Sequence, residues 1–329
     1  KQNMNLSIII VNYKAWAHIE NALAHLKQGF PQDWEIIVVD NESDSHELDT
    51  YLTKYPEITI IPNPINSGFA VGCRIGVEKA MGKTLLFMNP DVIATVRDIR
   101  ELITEKESNP EVALLTPKQV TSAGCSQKTF DEFPGFLNQS KILKYLRSFI
   151  SPGRAPDPRS NHKDLVFCDW ITGSFLLIGR SDYDLIGGWC SDYWMYVEDT
   201  DLCKRAHEAG LKTAYTPRVQ VTHDHGGSSR INIDIHSITK LEVIISKHVY
   251  TQKYMNGLKR LNTHILIGLL RLPVLAIPSF VDVITLGRST TLNVRRRVFC
   301  GLLQYYFRVL RTGSWLSPRA EANRIADCI

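Results

Sequence analysis

Two mostly apolar runs near the start of the chain, residues 6–11 (LSIIIV) and 35–40 (EIIVVD, four apolar residues between two acids), restrict its architecture more than any other feature. A strand with one wet face alternates apolar and polar residues. A continuous run marks a strand covered on both faces, as in a parallel sheet. Between the two runs, Ile19, Leu23 and Leu26 recur at helical spacing over 18–27. Further strands are expected at 58–61, 84–88, 112–115, 175–178 and 212–215, with helices over 70–80 and 99–107. Strand and helix in alternation predict an open, doubly wound α/β sheet that binds ligands at the carboxyl ends of its strands.

An apolar fraction of 44% and a charged fraction of 22% exclude a disordered chain. The net charge of +4 is unevenly spread: residues 240–329 carry 14 Lys/Arg against 4 Asp/Glu, so the rest of the chain is acidic. A basic tail predicts an anionic partner, either nucleic acid or a membrane surface. Nucleic acid is the weaker expectation, because no recognition motif is present and the arginines alternate with core-type residues. The seven cysteines are scattered without zinc spacing, and no secretory signal precedes Ser7, so a reduced, cytoplasmic setting is expected.

Residues 118–162 read as an irregular, mobile insertion, punctuated by Pro134-Gly135, Pro152-Gly153 and Pro156-Asp157-Pro158. The character changes near Asn232, which divides the chain into 1–231 and a helical C-terminal region, 232–329. There, 235–254 reads as a helix. The apolar run 266–286 is interrupted by Pro273 and Pro278 and contains Arg271 and Asp282, a poor membrane span. Over 294–311, Val294, Val298, Leu302, Tyr305 and Val309 form one stripe, with Arg296, Arg297, Arg308 and Arg311 on the other side and Arg295 snorkelling from the apolar sector. Such a helix lies in a membrane interface or packs on its own core.

Five stretches offer chemistry. Glu198-Asp199-Thr200-Asp201 crowds three carboxylates where a loop feeds a helix, suiting a general base or helix capping. Asp40 ends a buried strand, where it could accept from a base N–H or ribose hydroxyl, or make a turn. Asn66 to Gly76 places glycines four apart at a helix entry, for phosphate approach or for helix–sheet packing. Asn89-Pro90-Asp91 ends another strand, with Asp91 able to reach a hard cation or to form a turn. His223 and His225 flank Asp224 before Gly226-Gly227-Ser228-Ser229, and one imidazole suffices for a metal.

Taken in order over roughly 6–230, the stretches 7–13 (SIIIVNY), 39–43 (VDNES), 66–70 (NSGFA), 89–91 (NPD), 170–173 (WITG), 198–202 (EDTDL) and His223 resemble the family 2 glycosyltransferases of GT-A fold, closest to a bacterial rhamnosyltransferase-like branch. The resemblance implies a Rossmann-like open mixed sheet with helices on both faces and a C-terminal helical appendage. It implies an inverting, metal-dependent transfer from a dTDP- or UDP-sugar to a lipid-linked glycan acceptor, in bacterial cell-surface polysaccharide synthesis on the cytoplasmic membrane face. Oligomers remain open.

By the same resemblance, Asp40 holds the nucleobase, with Val11, Asn12 and Tyr13 lining its pocket. Asn66, Gly68 and Phe69 belong to the donor site. Asn89 stands where the family often has the first Asp of Asp-x-Asp, and Asp91 and His223 bind Mg²⁺ or Mn²⁺ on the diphosphate. Trp170 and Gly173 border the acceptor. Asp199 is the base, Glu198 orients the acceptor or the loop, and Asp201 keeps the capping role. Arg74 departs from the branch, which has Asn there, and could meet a phosphate. Asn89 and Arg74 keep a second reading alive, a catalytically lapsed sugar-nucleotide-binding or scaffold protein. An inverting displacement needs one carboxylate at the acceptor hydroxyl and another group on the departing diphosphate. Asp199 and Asp91 meet that minimum.

Overall fold

The structure, a computed structural model, describes residues 4–150, 156–158, 160–224 and 232–326. Pro152-Gly153 and the stretch His225 to Ser229 lie outside the described residues. β1 (Leu6–Asn12) is buried at every position, as its mostly apolar run requires. α1 (Trp16–Leu26) turns Trp16, Ile19, Leu23 and Leu26 inward, and β2 (Trp34–Asn41) follows. α2 (Ser45–Lys54) starts at Asp44, whose carboxylate accepts from the His46 amide. Next come β3 (Thr59–Asn63), α3 (Phe69–Lys79), β4 (Thr84–Met88) and β5 (Val92–Ile93). α4 (Val96–Glu107) opens on a reciprocal cap between Thr95 and Asp98, and leads into β6 (Val112–Val120).

The stretch expected to be irregular contains regular structure: the end of β6, then β7 (Phe130–Asp131), a 3₁₀ turn at Phe136–Asn138, and α5 (Lys141–Ile150). Short apolar spacings inside a Pro- and Gly-rich context had hidden them. β8 (Val166–Cys168), β9 (Trp170–Ile171), β10 (Phe175–Gly179), α6 (Arg180–Leu185), α7 (Glu198–Glu208) and β11 (Lys212–His223) follow. The C-terminal part is helical: α8 (Ile233–Tyr254), α9 (Gly257–Ile284), α10 (Thr290–Thr312) and α11 (Pro318–Ala326).

The main sheet runs β3-β2-β1-β4-β10-β6-β11-β5, with β8 also on β11. β1, β2, β3 and β4 are mutually parallel; β10 is antiparallel to both β4 and β6, and β11 is parallel to β6. The carboxyl ends of β1, β2, β4 and β11 and the amino end of β10 therefore share one sheet edge. This is the expected mixed α/β sheet. Alternate residues of β1 feed two cores: Ile8 and Ile10 pack with α1 and α4, Ile9 and Val11 with α3. A Cβ on Gly72 would stand 2.7 Å from Val11 Cγ1, and one on Gly76 2.6 Å from Ile9 Cγ2. These two glycines serve close helix–sheet packing, one of the two roles open for that stretch.

The chain divides into two compact units, 1–133 with 155–190 and 198–228, and 134–154 with 191–197 and 229–329. In the second unit, Val294, Val298, Leu302, Tyr305 and Val309 are buried as the stripe predicts, with α10 packed on α8 and α9. The arginines opposite are less available than expected. Arg296 Nε lies 2.7 Å from Asp282 Oδ2, Arg297 pairs with Asp234, and Arg308 with Glu321. The stripe thus packs on this unit's own core, one of the two roles open to it.

α9 also departs from expectation, because it runs unbroken through Pro273 and Pro278. Each proline forfeits one helical hydrogen bond, at about 3 kcal/mol in an isolated helix. Packing of His264, Ile267, Ser279 and Asp282, all buried, holds the helix together. It is long and apolar enough to cross a membrane, with mean hydropathy 1.9 over a window that is 17% buried. Elsewhere in this unit, Ser246 Oγ donates to the Met195 carbonyl at 2.9 Å, and the Arg319 guanidinium lies 5.4 Å from the Trp194 ring centroid.

Candidate active site

The first unit gathers most of the expected residues along the shared sheet edge. At the end of β2, Asp40 Oδ1 accepts from Asn12 Nδ2 at 2.6 Å and Ser43 Oγ at 2.5 Å, and Oδ2 accepts from Ser43 N at 3.2 Å. One lone-pair position on Oδ2 is left for a donor. Asn12 is fully buried, and its Oδ1 accepts from the Ala15 amide at 3.0 Å, so it braces both Asp40 and the turn that leads into α1. Val11 is nearly buried and Tyr13 half-buried beside it. The chain turns sharply after both strands, with Lys14 at φ 52° and Glu42 at φ 66°.

Asn66 Oδ1 accepts from the Gly68 amide at 3.1 Å, and Asn41 Nδ2 donates to the Gly68 carbonyl at 3.1 Å. Gly68 sits at φ 83°, a conformation only glycine takes without strain, and begins α3. Phe69 meets Trp189 edge-on, with centroids 5.5 Å apart. Arg74 is exposed on α3.

At the end of β4, Asn89 N donates to the Ser174 carbonyl at 2.8 Å, which fixes the Asn89-Pro90-Asp91 corner against the start of β10. Asp91 Oδ1 lies 3.2 Å from His223 Nε2, and both side chains are nearly buried. Gln119 Oε1 accepts from Ser174 Oγ at 2.9 Å and stands 2.8 Å from His223 Nδ1. With Gln119 Oε1 as the acceptor, Nδ1 is the donor nitrogen of a neutral imidazole, and the Nε2 lone pair turns toward the Asp91 carboxylate. Two lone-pair donors facing each other require a proton or a cation between them. A divalent ion fits this pair, one imidazole and one carboxylate steadied by an outer amide. Among the described residues no group of three or more His, Cys, Asp and Glu side chains could cage a metal. An ion here would take its remaining ligands from diphosphate oxygens and water.

Asp199 occupies the first turn of α7. Its Oδ2 accepts from the Gly173 amide at 3.1 Å, and its Oδ1 accepts from Thr200 N at 2.7 Å and Thr200 Oγ1 at 3.2 Å. Gly173 is tightly enclosed: a Cβ would stand 3.1 Å from Trp189 Cη2 and 3.4 Å from Asp199 Cβ, so a neighbour would have to give by a few tenths of an ångström. Trp170 is half-buried nearby in the chain, its Nε1 donating to the Glu132 carbonyl at 2.8 Å. Burial raises the Asp199 pKa despite those hydrogen bonds. Glu198 is more deeply buried, and desolvation together with the Asp199 charge pushes its pKa well above the usual carboxylate range. Of the two, Glu198 is pushed further toward its protonated form.

Asp201, expected to cap the helix, also holds a cation. Asp201 is fully buried and its Oδ2 accepts from Arg205 Nε at 2.8 Å, while Asp199 covers the first-turn amide of Thr200. The four-residue spacing of Asp201 and Arg205 carried that signal. Immediately upstream, Tyr196 and Val197 both have positive φ, 69° and 67°. For β-branched Val197 this is strained backbone, of the kind that collects at functional sites. Nothing in the residue types announced it, and Gln119 and Ser174 were equally silent.

Residues 7–161 match the Glycosyl transferase family 2 domain. The chain is 22% identical to an N-acetylglucosaminyl-diphospho-decaprenol L-rhamnosyltransferase of Mycobacterium tuberculosis, over 68% of this chain and 77% of that protein. It is 28% identical to a rhamnosyltransferase of Escherichia coli, over 66% and 82%, and 28% identical to a low-salt glycan biosynthesis hexosyltransferase of Haloferax volcanii, over 67% of each. Among solved structures, a mannosyltransferase from Pyrobaculum calidifontis in complex with GDP-Man and Mn²⁺ has the same fold, with a TM-score of 0.52 and 14% identity over 91% of this chain and 86% of that one. Residues 7–161 thus carry a Glycosyl transferase family 2 domain, in a chain that has the fold of a GT-A glycosyltransferase and is similar to bacterial rhamnosyltransferases.

Proposed function

We propose that this glycosyltransferase is metal-dependent and inverting, and that it moves a hexosyl group, rhamnosyl first among the candidates, from a dTDP- or UDP-sugar to a lipid-linked glycan on the cytoplasmic membrane face. The observation that carries this reading is the separation of two chemistries along one sheet edge. Asp199 is held with its carboxylate oriented by Gly173 and Thr200, and the Asp91–His223 pair is built to face a cation. Mycobacterial and enterobacterial relatives named as rhamnosyltransferases support the sugar, and the decaprenol-linked acceptor in one of those names supports the acceptor class. The Mn²⁺ bound by the mannosyltransferase of the same fold supports a divalent ion.

In the reaction, the acceptor oxygen bonds to the anomeric carbon as the bond from that carbon to the diphosphate oxygen breaks. Asp199 takes the hydroxyl proton, and its raised pKa brings it nearer to the working pH of a general base. Asp40, braced by Asn12 and Ser43, accepts from the nucleobase. Gly68 opens the helix entry to the donor, and Arg74 is available to a phosphate. Trp170 and Gly173 border the acceptor. Asp91 and His223 would hold the ion, which when bound neutralises charge on the departing diphosphate.

Purified protein incubated with a panel of nucleotide sugars, a polyprenyl-diphosphate-linked N-acetylglucosamine and Mn²⁺ tests this reading. The expected result is one preferred donor, turnover abolished by EDTA and restored by Mn²⁺, and a product of inverted anomeric configuration by NMR. Retained configuration, or full turnover in EDTA, overturns it.

A further inference from the structure

α9 leaves an apolar face uncovered along its length. Leu258, Ile265, Leu269, Phe280 and Val283 are each at least half exposed, and their spacings of 7, 4, 11 and 3 residues put them on one side of the helix. The opposite side is buried toward the two ends of the helix, at Thr263, His264, Ile267 and Asp282, while Val274 between them is exposed. Phe307 and Leu310 of the adjoining α10 are also exposed, as are Ile142, Tyr145 and Phe149 on one face of α5.

Charge decides what could cover such a surface. Between Gly257 and Thr312 there are nine Lys and Arg residues and one carboxylate, Asp282. Asp282 is fully buried and bound to Arg296, so no exposed acid remains on α9 or α10. A second copy docking face to face would bring its own cations against these and no acid to meet them. An anionic lipid leaflet satisfies both halves of the surface, acyl chains for the apolar side chains and phosphates for the cations at its margins.

We infer that the outer face of α9 is a membrane-seating surface that lies in the plane of an anionic leaflet, with exposed Lys259 and Arg288 near the helix ends on headgroup phosphates. The helix lies flat and does not span. Its inner side carries the buried Asp282–Arg296 pair and His264, whose Nδ1 is 2.8 Å from His248 Nδ1. Crossing a bilayer would strip those partners away. This inference rests on the reading that the transferase works at a membrane, and it moves the contact from the arginines of α10 to the apolar side chains of α9.

Flotation of the full chain with vesicles of equal phosphatidylglycerol and phosphatidylcholine tests it. Wild type is expected to float. Leu269→Glu/Phe280→Glu is expected to partition at least about tenfold less, since each large apolar side chain withdrawn from lipid is worth roughly that factor. Its thermal melt and donor hydrolysis should be unchanged; should the melt collapse, Leu258→Ser/Ile265→Ser at the other end of the helix decides. Lys259→Gln/Arg288→Gln should weaken binding at low salt only. If wild type floats and both apolar pairs float equally well, the α9 assignment is overturned while the membrane reading stands. If wild type does not float, both fall. A wild-type dimer by sedimentation velocity, made monomeric by the α9 pair with flotation unchanged, would assign the face to a second copy and also overturn the inference.

Discussion

The backbone amide of Gly173 donates to Asp199 Oδ2 over 3.1 Å, and a Cβ on the same glycine would crowd Trp189 Cη2 at 3.1 Å. One residue thus aims the proposed base and is itself held by an aromatic wall. Asp199→Asn keeps the shape and both acceptor contacts on one side but removes the basic oxygen. The expected outcome is a fall in kcat of about 10²–10⁴-fold with donor KM little changed. Steady-state kinetics with an unaltered thermal melt checks it, and a variant of wild-type kcat would remove Asp199 from the base role.

Gly173→Ala tests the aromatic wall. The methyl would force Trp189 or Asp199 to give way, an overpacking cost of about 1–3 kcal/mol. The expected outcome is a lower Tm together with a lower kcat, because the displaced neighbour carries the base. A lower Tm with kcat intact would mean that the Gly173–Asp199 contact is structural only.

Glu198 and Asp199 give a pH signature. Both folded-state pKa values are raised, so their contribution to stability is complete below the ordinary carboxylate pKa and is lost as pH rises through the folded values. Glu198→Gln removes the more strongly shifted group. Its Tm is expected to match wild type near about pH 4 and to exceed it by a few degrees toward neutrality. For activity the sign reverses: the acid limb of the kcat–pH profile should lie above the ordinary aspartate range, because Asp199 must be ionised to accept a proton. Melting curves and rate profiles over the same pH series measure both, and a parallel Tm offset at every pH would refute the linkage.

Gln119 anchors the metal-facing pair from outside. It holds His223 Nδ1 at 2.8 Å and accepts from Ser174 Oγ, so it sets which imidazole nitrogen faces Asp91. Gln119→Ala is expected to raise the Mn²⁺ concentration for half-maximal activity about 10–100-fold, with kcat largely recovered at saturating metal. A metal titration of the rate reads this directly. An unchanged metal requirement would place the ion, or its need, elsewhere.

How much of this could be read from residue order differs by element, for physical reasons. β1, β2 and β4 were legible because burial on both faces demands a mostly apolar run, and the α10 stripe because one-sided burial demands helical spacing. The carboxylates at strand ends, Asp40 and Asp91, and the first turn of α7 followed from where a parallel sheet exposes side chains. Gln119 was not legible: its contact with His223 spans 104 residues and depends on β6 and β11 pairing in register. The positive φ of Tyr196 and Val197 is imposed by surrounding structure, against their own preferences. The two prolines of α9 misled, because local propensity counts lost hydrogen bonds and not the packing that offsets them.

That packing can be probed at the buried end of α9. Asp282 is fully buried and pairs with Arg296, 2.7 Å away and partly exposed. Removing the cation strands a buried carboxylate, whereas removing both partners leaves only a packing defect. Arg296→Met is therefore expected to destabilise by about 3–5 kcal/mol, and Asp282→Leu/Arg296→Met by clearly less. Denaturant titration of both variants decides between them. If the double variant is as unstable as the single one, the pair contributes nothing beyond shape, and the continuity of α9 through its prolines rests on its other buried residues, His264, Ile267 and Ser279 among them.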